Sequence, residues 1–222
     1  LDNQKGDAYI MSNTQSSNDF REIALNRRSI KAYDPEVKIS KEEMSEMLAE
    51  ATRAPSSVNL QPWRFVVIES EEGKQKLAPL ARFNQTQVLT SSAVIAVFAD
   101  MENIQYADEI FGKAVELGYM PQEVKEAQMP IIKSFYANYS ASDLRDVNFI
   151  DAGLVSMQLM LVARAHGYDT NPIGGFEKDQ IADAFGLDKE RYQPIMLISI
   201  GKAAQQGYPS YRLPVETVAS WH

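Results

Sequence analysis

The run AVIAVFA at residues 93–99 is apolar throughout, and QPIMLISIG at 193–201 is nearly so. A strand with one wet face alternates apolar and polar residues, whereas an unbroken apolar run of this length marks a buried strand. The segment from Arg64 to Glu69, rich in Phe, Val and Ile, reads the same way. A buried sheet must be covered by other elements, and the remaining sequence offers helices. Asp19 to Arg28 has an acidic cap with Phe20, Ile23 and Ala24 at helical spacing. Ser40 and Glu43 form a capping-box pattern ahead of Met44, Met47, Leu48 and Ala51, predicting a helix that ends near Pro55. From Phe149 to His166 a long helix is apolar around nearly its whole circumference, which suits a core or a subunit interface. Gly167 ends it, the extended piece YDTNPIGGF follows, and a further helix is predicted around Lys178 to Phe185. The stretch 101–147 is expected to be helical, broken at Pro121 and Pro130, and the tail YPSYRLPVETVASW partly extended. The layout is α+β: a mixed sheet, a core helix and surrounding helices.

At 222 residues, 45% hydrophobic and 23% charged, the chain suits one compact unit. Its formal net charge of −8 gives no global attraction to nucleic acid or anionic membranes, so any polyanion needs a local site. The absence of cysteine excludes disulfides, thiolate metal sites and cysteine nucleophiles, and is compatible with a reducing cytoplasm. With only His166 and His222, a histidine metal centre or a Ser-His-Asp triad has almost no material. The most apolar stretch, Gly153 to Ala165, is too short to span a bilayer, and a soluble protein is expected. The first residues lack the pattern of a secretory signal. Residues 1–18 are expected to be a disordered or expression-derived extension, with Met11 suggesting that 1–10 are the remnant.

Three segments carry chemistry-bearing residues. Arg27, Arg28, Ser29 and Lys31 gather cations and a hydroxyl at a helix end, which suits an oxyanion or simply a solvated basic helix terminus. In APSSVNLQPWRFVVIES, Ser56 and Asn59 can bond the local backbone while Trp63 packs. Asn59 and Gln61 beside an aromatic also suit a planar heterocycle. NPIGGF lacks the lysine of a P-loop and the spacing of GxGxxG; Gly174 and Gly175 allow close approach to a flat ligand or an ordinary turn. Arg212 in YRLP is a further possible anion contact.

Taken in order, RRSIKAYDP, APSSVNLQPWRFVVI, FNQTQ, NPIGGF and YRLP resemble the nitroreductase superfamily of FMN-dependent flavoenzymes, over nearly the whole chain from about residue 19. The resemblance implies a single FMN-binding domain over 19–222 with a variable excursion at 101–147. It further implies a mainly antiparallel mixed sheet flanked by helices and an intertwined, cytoplasmic homodimer with FMN at its interface. Arg27 and Arg212 would hold the phosphate, Arg28 and Ser29 the phosphate or ribityl chain, and Lys31 the pyrimidine side. Pro55, Ser56, Ser57 and Asn59 would reach the flavin from the partner. Asn84 would bond the isoalloxazine or ribityl, and Pro172, Ile173, Gly174 and Gly175 would line its other edge. Related enzymes often have Pro-Ile-Glu-Gly there, so Gly174 is a departure. The implied activity is ping-pong reduction of nitroaromatic, quinone or similar electron-poor acceptors by NAD(P)H. Alternatives are reductive dehalogenation, enone or azo reduction, or a non-catalytic flavin carrier or sensor. No metal is implied, and the redox chemistry belongs to the cofactor, so no acid or base residue is nominated.

Overall fold

The computed structural model describes residues 19–222; the expected extension at 1–18 lies outside the described residues. The chain begins with α1 (Phe20–Asn26), whose first amides are capped by the Asp19 carboxylate, and α2 (Lys41–Ala51), capped by the Ser40 hydroxyl. Then come β1 (Trp63–Ile68), α3 (Glu71–Leu77), a 3-10 run at 78–84, α4 (Gln85–Thr90) and β2 (Ala93–Asp100). The excursion holds α5 (Ala107–Glu116) and α6 (Gln122–Asn138), followed by the long α7 (Ala141–Ala165). The chain closes with β3 (Asp169–Ile173), α8 (Lys178–Ala184), β4 (Tyr192–Gly201) and the short α9 (Val215–Val218) in an exposed tail.

The four strands pair antiparallel in the order β1-β2-β4-β3. The mixed character expected of the sheet is confined to an isolated parallel bridge between Ser29 and Thr170. β2 and β4 occupy the centre and are covered on both faces, as their apolar runs require. Ile95, Val97, Ile198 and Ile200 pack on one side against Met44 and Met47 of α2 and Val155 and Leu159 of α7. The alternate residues Val94, Ala96, Phe98 and Leu197 pack on the other against Leu77, Val88 and Ile181. A third cluster joins Leu60 to Phe111 of α5 and Met129, Ile132 and Tyr136 of α6.

Two expectations need correction. Pro130 does not break a helix: it lies inside α6 on the exposed side, where the carbonyl that loses its amide partner meets water, while Met129, Ile132 and Tyr136 hold the inner side. Pro121 does mark the helix start. The long helix begins at Ala141 rather than Phe149. Ser140 and Asp143 form a reciprocal capping box, and the polar first turns hide the start from a hydrophobicity reading. At 25 residues α7 is, among the described residues, the one helix long and apolar enough to cross a membrane by length and composition. Its inner stripe packs on the sheet, whereas Ile150, Leu154 and Met157 are exposed on its outer face.

Candidate functional site

Arg27 follows α1 directly and is partly buried against the end of α7. Its Nη1 is buried without a hydrogen-bond partner. Burial lowers the Arg27 pKa from its ordinary value, and the neighbouring charges of Arg212, Arg28 and Arg164 lower it further; Asp169 alone opposes them. Asp169 is itself engaged by Arg164. An unpaired, buried guanidinium N–H among three further arginines suits an anion, because a negative charge would relieve both the repulsion and the lost hydrogen bond. Arg212 reaches this place from the tail, where its Nη1 donates to Ser210 Oγ at 2.6 Å and the Tyr211 carbonyl at 3.1 Å. Arg28 turns back on α1, donating to the Leu25 carbonyl at 2.7 Å. Ser29 is fixed beside Thr170, whose carbonyl accepts the Ile30 N–H at 3.2 Å, and Lys31 is exposed.

The same edge of the sheet brings in the glycine pair. Pro172 and Ile173 end β3, and Gly174 and Gly175 leave it exposed. Asn84 Nδ2 donates to the Gly175 carbonyl at 3.3 Å, and its Oδ1 accepts from Gln87 at 3.0 Å. The 3-10 run before Asn84 is tied to this edge twice more. The Glu177 N–H donates to the Leu80 carbonyl at 2.8 Å, and Arg82 Nε donates to Glu177 Oε1 at the same distance. Ser29, beside Thr170, and Asn84, beside Gly175, therefore lie along the same edge strand, near its start and just past its end, about 16 Å apart.

The stretch 55–61 lies elsewhere. Pro55 and Asn59 are exposed, and Val58, Asn59 and Gln61 have φ of 43°, 57° and 47°, in the left-handed region. Ser56 Oγ accepts the Gln61 N–H at 3.1 Å, and Gln61 Nε2 donates to the Asn59 carbonyl at 3.3 Å, so part of this chemistry is local turn bonding. Trp63 is core. The Ser57 N–H donates to both carboxylate oxygens of Asp151, at 3.1 and 3.0 Å. This loop enters β1, one sheet edge, while the glycine pair leaves β3, the other, across three strand spacings or about 14 Å. Along α7, Asp151 under the loop and Arg164 near Arg27 stand apart by about 20 Å at the helical rise. The 55–61 loop and the glycine pair thus stand at opposite edges of the sheet.

Sequence reasoning missed Asp151, Arg164 and Asp169. Asp151 left a signal: it sits in register with Val155, Leu159 and Ala163 on the buried stripe of α7, an acid where the spacing calls for an apolar residue. Arg164 and Asp169 left none, since their meeting depends on the turn at Gly167.

Comparison with known proteins gives a consistent result. A sequence model of the Nitroreductase family matches residues 24–202. YdgI of Bacillus subtilis (strain 168), named as a candidate NAD(P)H nitroreductase, is 68% identical over 205 residues, 92% of this chain and 98% of its own. A crystal structure from Exiguobacterium sibiricum 255-15, described as a candidate nitroreductase in complex with FMN, is 65% identical. It superposes with a TM-score of 0.92, covering 94% of this chain and 99% of that one. A protein of Lactiplantibacillus plantarum named CLA biosynthesis enone reductase is 37% identical over 202 residues, 90% of this chain and 93% of its own.

Proposed function

The chain belongs to the nitroreductase family, and we propose from that premise that it is an FMN-dependent oxidoreductase using NAD(P)H to reduce nitroaromatic, quinone or similar electron-poor acceptors. The observation that carries the cofactor assignment is the buried, unpartnered Nη1 of Arg27 among Arg28, Arg164 and Arg212. A phosphate monoester supplies the charge and the acceptor oxygens that this arrangement lacks. Arg27 and Arg212 hold that phosphate, Arg28 and Ser29 meet the phosphate or ribityl chain, and Lys31 faces the pyrimidine side. Asn84 and the Pro172–Gly175 segment line the ring, with backbone amides near the reacting edge. Pro55, Ser56, Ser57 and Asn59 come from the second subunit of a homodimer, a reading supported by their separation from the phosphate cluster within one chain.

FMN held there would supply two-electron redox chemistry between NAD(P)H and the acceptor, in a ping-pong cycle. The chain's own residues bind, orient and tune it. Lys31 places a positive charge where the reduced ring gathers negative charge, so Lys31→Met lowers the reduction potential of the flavin-loaded protein. Arg212→Ala removes a charge-assisted phosphate contact of about 1.5–3 kcal/mol and releases FMN on dilution while the fold persists; wild-type retention contradicts the assignment.

The deciding experiment is a visible absorption spectrum of the purified protein followed by steady-state NAD(P)H oxidation with nitrofurazone or a quinone. Flavin absorption with turnover supports the proposal, flavin without turnover favours a carrier, and colourless protein that takes up no added FMN overturns it. A second reading, reduction of an activated alkene, is favoured by the likeness to the L. plantarum enone reductase, and the same assay with an enone acceptor decides between them.

A further inference from the structure

Asp151 is 4% exposed and lies on the inner stripe of α7 among Ala152, Val155 and Leu159. An apolar side chain there would pack with the sheet at lower cost than a carboxylate taken out of water. Its hydrogen-bond partner is the Ser57 N–H, held by both oxygens. Ser57 opens the turn in which Val58, Asn59 and Gln61 keep positive φ. Left-handed backbone at residues other than glycine costs on the order of 1–3 kcal/mol each and persists only where surrounding structure fixes it. Bonds within the turn, from Asn59 N–H to the Ser56 carbonyl and from Leu60 N–H to that of Ser57, shape the loop but do not attach it to the core. The Asp151 bond does attach it, to the longest helix of the fold.

We propose that Asp151 is a positioning residue which, through the Ser57 N–H, anchors residues 55–59 in the conformation that meets the flavin of the other subunit. The inference rests on the FMN reading given above. Ile150, next to Asp151, is exposed on the outer face of α7, so one turn of that helix carries both the loop anchor and a surface for a second copy. The Tyr136 hydroxyl of α6 lies beside the side chains of Ser57 and Asn103, and Leu60 packs into the third cluster, whereas the Ser57 backbone N–H is held by the Asp151 carboxylate.

Two variants of the full chain test this, Asp151→Ala, which removes the acceptor, and Asp151→Asn, which keeps an acceptor oxygen and loses the charge. In the FMN-free protein, the Ser57 amide should be protected from hydrogen exchange in the wild type and Asp151→Asn. In Asp151→Ala it should exchange at least about tenfold faster. With FMN, Asp151→Ala should raise the Kd about tenfold or more, and Asp151→Asn should restore most of the affinity. Unchanged FMN affinity in Asp151→Ala overturns the proposal, as does equal weakening in both variants. If Asp151→Ala does not fold, a wild-type Ser57 amide that exchanges freely still overturns it. A wild type that takes up no FMN overturns the functional reading instead, and the exchange of Ser57 then decides the anchoring role alone.

Discussion

Gly174 and Gly207 differ in what a side chain there would meet. A Cβ at Gly174 would meet nothing within 4 Å, and its φ lies outside the left-handed region, so neither space nor backbone demands glycine. Gly174→Glu, which recreates the Pro-Ile-Glu-Gly arrangement, should therefore fold with a stability within about 0.5 kcal/mol of wild type in urea denaturation. At Gly207 a Cβ would stand 2.3 Å from the Cβ of Arg28, an atom that cannot move without its backbone. Gly207→Ala should displace the tail that delivers Arg212 and raise the FMN Kd by about tenfold, with the melting temperature of the FMN-free protein little changed. Comparable FMN binding by Gly207→Ala and wild type would show that the tail does not depend on this close approach.

Among the elements, α7 shows best what a sequence discloses and what it withholds. Its apolar part was legible because Phe149 to His166 is apolar around nearly its whole circumference, and the strands β2 and β4 because their runs are nearly uninterrupted. Its start was not legible from apolar periodicity, which the charged first turns lack, although the Ser140–Asp143 capping box is a helix-start signal. The candidate site was legible only as local clusters: Arg27 and Arg28 adjoin in sequence, but Arg164, Asp169 and Arg212 join them through the fold. Asp151 on the same helix has a pH signature. Burial raises its carboxyl pKa above the unfolded value of about 3.9, so between the two values the folded chain binds more protons than the unfolded one. Stability contributed by this group therefore falls as pH rises through that window, and the loss is complete above the raised value. Asp151→Asn should flatten that decline and equal or exceed the wild type at neutral pH, measured by urea unfolding from pH 4 to 7. A variant clearly weaker at pH 7 would mean that the Ser57 bond to the ionised form outweighs the cost of burial.

At the scale of the whole molecule, a single chain leaves apolar surface uncovered on α1, α7 and the tail. Ile150, Leu154 and Met157 on α7, Phe20 and Leu25 on α1, and Tyr211, Leu213, Val218 and Trp221 in the tail are all exposed. Apolar surface spread over three elements is more than an isolated soluble chain comfortably leaves wet, and it suits a large, obligate interface. The placing of the candidate site residues supports this reading. The phosphate cluster stands near one end of α7 and the 55–59 loop near its middle, so a second copy packed along α7 can bring its loop to the first copy's arginines. In such an assembly, dimerisation and cofactor binding would stabilise each other by linkage. Leu154→Glu puts a charge at the centre of the α7 outer face, one turn from Asp151 and about 15 Å along the helix from Arg164. Light scattering should find the wild type dimeric and this variant monomeric, and the monomer should retain its helical circular dichroism while losing FMN. A folded monomer that keeps stoichiometric FMN would show that one chain completes the site, and would overturn both the shared site and the dimer that it requires.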